Sequence, residues 1–66
     1  MQKGSIKFFN ESKGFGFITP QVGGKDIFVN ATGLNSAKYK PKDGDDVVFE
    51  VEEGKKGPVA VNVEEA

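Results

Sequence analysis

The 66-residue chain contains no cysteine, no histidine and no tryptophan. Without cysteine it forms no disulfide and offers no thiolate to a metal. Without histidine as well, a zinc site and an imidazole base working near neutral pH are excluded. No long apolar run is present, and Met1-Gln2-Lys3-Gly4 leads straight into a strand pattern. That argues against a signal peptide and a membrane span, and the expected location is cytoplasmic. Helical periodicity, internal repeats and low-complexity segments are also missing. No two carboxylates share a catalytic context, so the chain is expected to be no enzyme, with no cofactor, metal or small-molecule substrate. At this length residues 1–66 make one domain. Such a chain buries only ~60% of its extended surface, which leaves no room for a cleft with a lid.

The charge is present but unevenly placed. The net value of −1 conceals seven lysines against two acids in residues 1–42, a net of +5. Residues 43–66 carry two lysines against eight acids, a net of −6. Six of the seven aromatic residues lie in the first part, Phe49 being the exception. Positive charge and aromatic rings in one segment are the composition of a nucleic-acid face, and the acidic remainder supplies solubility.

Lys13-Gly14-Phe15-Gly16-Phe17-Ile18 concentrates that character. Side chains two apart on a strand share a face, so Phe15 and Phe17 stand on one side and Ile18 on the other. The rings either fill a core or form a platform on which unpaired bases stack. Ile18 is the better core residue, and so small a chain has one core to fill.

Strand patterns recur between glycine-rich or Asp/Gly punctuation, which predicts an all-β fold. Strands are expected over residues 3–10, 14–19, 26–30, 47–51 and 59–63. Pro20 to Lys25 and Glu53 to Pro58 read as hairpin loops. Ala31 to Leu34 reads as a short helical turn, followed by a long lysine-rich loop that carries Tyr39 and Pro41. In the third strand Ile27 and Val29 share one face, and Asp26, Phe28 and Asn30 the other. In the fourth, Val47, Phe49 and Val51 point inward. In the fifth, Val59, Val61 and Val63 share a face. The first strand is ambiguous: alternation groups Ile6 with Phe8 unless a bulge intervenes. Five short strands with a long connection between the third and fourth predict a five-stranded antiparallel OB-type β-barrel, with an SH3-like barrel as the competitor.

Lys7-Phe8-Phe9-Asn10, Lys13 to Ile18, Asp26-Ile27-Phe28-Val29 and Gly57 to Val63 together resemble bacterial cold-shock proteins in order and spacing. The similarity runs over essentially the whole chain. The second and third blocks look like the RNP1 and RNP2 motifs of that family, in an order opposite to that of RRM domains. The resemblance implies an OB barrel that binds single-stranded RNA and single-stranded DNA as a monomer and acts as an RNA chaperone. It implies stacking by Phe15, Phe17 and Phe28, by Phe8 where the family usually has Trp, and by Tyr39 on the long loop. It implies basic contacts from Lys7, Lys13 and Lys56, and base hydrogen bonds from Asn10 and Asp26. Asn30 and Ala31 stand where the family usually has His-Phe, so stacking surfaces are lost there.

Other patterns carry less. Asn30-Ala31-Thr32 fits the N-glycosylation acceptor pattern, but without a secretory signal chance explains it better. Asp43, Asp45 and Asp46 lack calcium-loop spacing and read as a solvated turn. The competing functional class is a β-barrel protein-interaction module with weakened or lost nucleic-acid binding.

Overall fold

The computed structural model describes residues 1–34, 39–54 and 57–66. Its elements are β1 (Gln2–Asn10), β2 (Phe15–Pro20), β3 (Ile27–Asn30), a 3₁₀ turn (Ala31–Gly33), β4 (Asp46–Gly54) and β5 (Gly57–Glu65). The strands close into a barrel in the order β1-β2-β3-β5-β4. Four seams are antiparallel, and β3–β5 is parallel. An odd number of strands cannot close with every neighbour antiparallel, so the expected antiparallel barrel has one parallel seam. It is short, pairing Phe28 with Val59 and Val29 with Ala60.

The interior holds Ile6, Ile18, Ile27, Val29, Val47, Phe49, Ala60 and Val63, all buried, with Phe9, Leu34, Tyr39 and Val51 packed against them. Burial of these side chains supplies the hydrophobic drive, at ~25 cal/mol per Å² of apolar surface removed from water.

Two bulges set which residues enter that core. In β1 the pairing passes from Ile6↔Ile18 to Phe8↔Phe17, leaving Lys7 as the extra residue. The slip reverses the alternation, so Ile6 is inside and Phe8 outside, which resolves the ambiguity of the first strand. In β5 the pairing with β4 passes from Glu50↔Val61 to Val48↔Glu64. Phe49 therefore faces two residues, Asn62 and Val63, and Asn62 takes the left-handed backbone with φ 52°. This corrects the expectation that Val59, Val61 and Val63 share one face of β5. Ala60 and Val63 are buried, while Val59 and Val61 are only half-buried, because the inserted residue changes parity between Ala60 and Val63.

The β4–β5 hairpin is longer than its sequence suggests. Pairing continues through Glu53↔Pro58 to Gly54↔Gly57, so the segment read as a loop is mostly strand. At the other end, the Ile6 amide donates to the Asp45 carbonyl (2.8 Å) and the Gly44 amide to the Ile6 carbonyl (2.7 Å). These bonds fasten the end of the long connection to β1 just past its last pair with β4.

Candidate nucleic-acid interface

The β1–β2 connection is built to start β2 with an outward ring. Asn10 accepts from the Gly14 amide through its carbonyl (2.7 Å) and from the Lys13 amide through its side-chain Oδ1 (3.1 Å). Gly14 then takes φ 75°, a conformation that a side chain disfavours. Gly16 has a different task. It is buried between Phe9 and Val29 in register, and a Cβ there would run into the Phe8 carbonyl and lie 2.7 Å from the Phe9 Cα. The two glycines of the motif are therefore a turn residue and a close backbone crossing, and the crossing brings β1 down onto β2.

Strand register lays the outward side chains in rows across β1, β2 and β3. Asn10, Phe15 and Asn30 form one row, and Phe8, Phe17 and Phe28 the next, with Val59 continuing it onto β5. Beyond them Ser5 pairs with Thr19, and Asp26 reaches the same edge. The placement of Phe15, Phe17 and Phe28 opposite Ile18, Ile27 and Val29 agrees with the alternation read from the sequence.

The four outward rings touch in a closed circuit. Centroids lie 6.5 Å apart for Phe8–Phe15, 5.8 Å for Phe15–Phe28, 5.7 Å for Phe28–Phe17 and 5.5 Å for Phe17–Phe8. Phe15 and Phe28 are nearly parallel at 21°, whereas Phe17 meets Phe28 edge-on at 78°. Such contacts contribute ~0.5–1.5 kcal/mol per pair beyond area burial. Phe8 remains 37% exposed and the other three are half-buried against one another. Mutual shielding explains how a small barrel carries an aromatic patch on its outer wall, and the ring faces left open are available to flat ligands.

The polar rim is already organised. Lys7, the bulged residue, donates to Asp26 Oδ2 (2.8 Å), and the Thr19 hydroxyl donates to Asp26 Oδ1 (3.2 Å). The Lys7 ammonium bonded to it holds the Asp26 carboxyl below the usual range, against an opposing pull from desolvation, and Thr19 adds to the lowering. The pair is well exposed, with 58% of the Lys7 side chain and 30% of the Asp26 side chain in contact with solvent, so its contribution to stability is small. Lys13 is exposed beside the Phe15 row. Asn30 accepts at Oδ1 from the Thr32 amide (3.2 Å) and the Thr32 hydroxyl (3.3 Å), capping the 3₁₀ turn. Ala31 donates its amide to the Gly14 carbonyl (2.8 Å), which ties that turn to the β1–β2 connection.

The structure thus gathers Lys7, Phe8, Asn10, Lys13, Phe15, Phe17, Asp26, Phe28 and Asn30 on one face. Tyr39 is no part of the ring circuit. It packs against the core, and its hydroxyl donates to Asp45 Oδ2 (3.2 Å). Burial, followed by the charge of Asp45, raises its phenol well above the ordinary range. Lys56, together with Lys38, lies outside the described residues. Sequence reasoning missed Thr19, Thr32 and Val59 as neighbours of the site. A threonine two residues after Asn30 was the available signal for a capped turn.

Residues 2–66 match the family described as the 'Cold-shock' DNA-binding domain. The chain is 53% identical over 62 residues to Cold shock-like protein CspC of Buchnera aphidicola subsp. Acyrthosiphon pisum (strain APS), covering 92% of this chain and 90% of that protein. It has the same identity and coverage with CspC of Escherichia coli (strain K12). It is 55% identical over 62 residues to Cold shock-like protein CspE of the same Buchnera strain, with 92% and 90% covered. Among solved structures it resembles drosophila Unr CSD456 with a TM-score of 0.82 at 22% identity, covering 98% of this chain. The chain spans 26% of that larger chain, and at this identity the likeness speaks for the fold alone.

Proposed function

The chain belongs to the nucleic-acid-binding cold-shock domain family, and we propose that it binds single-stranded RNA and DNA on its ring circuit. The observation that carries this reading is the circuit itself: four phenylalanines on the outside of a barrel whose core is complete without them. Every base has a π-face, so such a surface stacks bases with little regard to sequence. The faces are hidden in a duplex, so the site discriminates against paired strands. Phe8, Phe15, Phe17 and Phe28 stack bases, and Lys7, Lys13 and Lys56 neighbour phosphates. Asn10, Asp26 and Asn30 meet base edges, and Tyr39 flanks the path from the long connection. Holding strands unpaired makes the protein an RNA chaperone. It acts as a cytoplasmic monomer and as a binding protein rather than an enzyme.

The test is fluorescence anisotropy with labelled oligonucleotides of the same length, single- and double-stranded. Single strands are expected to bind more tightly, over a footprint of ~4–16 nucleotides. Equal affinity for the two forms would sink the stacking mechanism. A folded barrel that binds neither would favour the protein-interaction module.

A further inference from the structure

The outward side of β1 continues past the rings. Ser5 pairs in register with Thr19 on β2 and with Asp46 on β4. Their chain neighbours Ile6, Ile18 and Val47 point inward, so all three face out. One step further Lys3 lies beside Gln21, whose amide donates to the Lys3 carbonyl (2.9 Å). Ser5 is the shortest of these side chains and sits in the middle. The surface dips there into a groove of about 340 Å³, lined by Lys3, Ser5, Thr19, Gln21 and Asp46 among others. That is the volume of a small-ligand site. Groove and ring circuit are continuous. Thr19 follows Phe17 on the same face of β2, ~6.6 Å along the strand, and its hydroxyl holds Asp26 at the platform edge. Among the described residues, the side chains of Lys3, Ser5, Gln21 and Asp46 have no hydrogen bond or ion pair. Thr19 donates its one proton to Asp26 Oδ1, which leaves its own oxygen to accept. The groove therefore offers a cation, two acceptors at Thr19 Oγ1 and the Asp46 carboxylate, and a Ser5 hydroxyl between them that serves as either. No aromatic ring lines it, so it has nothing for a base to stack on. Its chemistry suits a phosphate and a hydroxyl-bearing sugar.

We propose that a strand leaving the ring circuit past Phe8 and Phe17 enters this groove, with Lys3 on a phosphate and Asp46 on a ribose 2′-hydroxyl, and that the groove thereby favours RNA over DNA. The inference rests on the reading of the ring circuit as a single-strand site. The 2′-hydroxyl is the group by which a protein tells the two sugars apart. In RNA it donates to the Asp46 carboxylate, a charge-assisted bond, and Ser5 lies close enough in register to share it. In DNA the carboxylate meets the strand with no donor to accept from, and it only repels the phosphates.

The experiment compares labelled U₁₀ and deoxy-U₁₀, which share every base and differ only in the sugar, against the wild-type chain, Asp46→Ala and Lys3→Gln. The wild type should bind U₁₀ about three- to tenfold more tightly, the worth of one net hydrogen bond. Asp46→Ala removes the acceptor and the repulsion together. It should lower the U₁₀/deoxy-U₁₀ ratio at least threefold with no loss of affinity for deoxy-U₁₀. Sugar pucker and the contacts on the rings are common to all three proteins, so a change in the ratio belongs to the groove. Lys3→Gln should weaken both strands and make the log–log salt slope shallower by about 0.7, one phosphate contact. In NMR spectra the backbone amides of Ser5 and Gln21 should shift when U₁₀ is added, together with those of Phe8 and Phe17. Unfolding midpoints show whether each barrel is intact; should Asp46→Ala not fold, the amide shifts and the Lys3→Gln slope decide. A wild-type ratio near one, an unchanged ratio in a folded Asp46→Ala protein, an unchanged slope in Lys3→Gln, or shifts confined to the ring residues overturns the proposal while single-strand binding stands. Failure of the wild type to bind either strand removes the single-strand reading and the proposal with it.

Discussion

Residues 1–42 and residues 43–66 build one barrel from opposite materials. The first part carries the excess lysines and turns four of its phenylalanines outward. The second carries the acids and turns its single phenylalanine, Phe49, fully into the core. The same residue type thus lines the outer wall, where we propose that it binds, in one part and fills the core in the other. Composition does not decide which; the face of the strand does. The uneven charge also lets a chain of net charge −1 place Lys7 and Lys13 beside its outward rings. Attraction between strand and protein is local, because charges beyond ~10 Å are screened at 0.1 M salt.

Phe49→Ala should cost about 3–5 kcal/mol of stability by emptying a buried site, most of what so small a domain possesses. Urea denaturation reads the loss. A variant that stays folded but loses strand binding would place this ring on the wrong side of the division.

Phe15→Ala and Phe28→Ala are the counterparts in the first half. Each should weaken binding by about 1–3 kcal/mol. The loss of stability should be smaller than at Phe49, because each ring makes two circuit contacts worth about 0.5–1.5 kcal/mol apiece. Anisotropy and denaturation on the same samples separate the two effects, and unfolding without a measurable binding step would return these rings to the core.

Adding a ring sharpens the contrast from the other direction. Ala31 is exposed at the end of β3, bonded to the Gly14 carbonyl and so close to the Phe15 row. Ala31→Phe should tighten single-strand binding by about 1 kcal/mol, the low end for one stacked base. Unchanged affinity would mean that the platform ends before residue 31.

Salt measures how far charge shares in the first half's work. Each neutralised phosphate contributes about −0.7 to the log–log slope for single strands, so two to four contacts give roughly −1.5 to −3. A slope near zero would leave stacking alone, and a much steeper one would make the rings secondary.

The smallest effect concerns Tyr39, which joins the two halves through Asp45. Its folded phenol is raised above the ordinary value of 10.0 by burial and by neighbouring negative charge. The contribution is therefore fully present below pH about 10 and is lost as pH rises through the folded value. Stability should decline more steeply above pH 10 for the wild type than for Tyr39→Phe, as thermal melts across that range would show.

Much of this division is legible without coordinates. Lysine and acid counts separate the halves, and alternation places Phe15, Phe17 and Phe28 opposite Ile18, Ile27 and Val29. Strand number follows from glycine and Asp/Gly punctuation, because turn chemistry is local. The side of Phe8, the burial of Ala60 and the fate of the two asparagine carbonyls are not legible in that way. Alternation is a rule about neighbours along one strand, and a bulge suspends it. The bulges at Lys7 and Asn62 arise where strands must bend to close a barrel, under constraints supplied by partners far away in sequence. Gly16 shows the same dependence: as sequence it is a small residue between two rings, and only the crossing of β1 over it makes a side chain there impossible. The chain itself determined which residues are aromatic, charged or branched; barrel closure determined which of them face water, because facing is a property of paired strands and not of one.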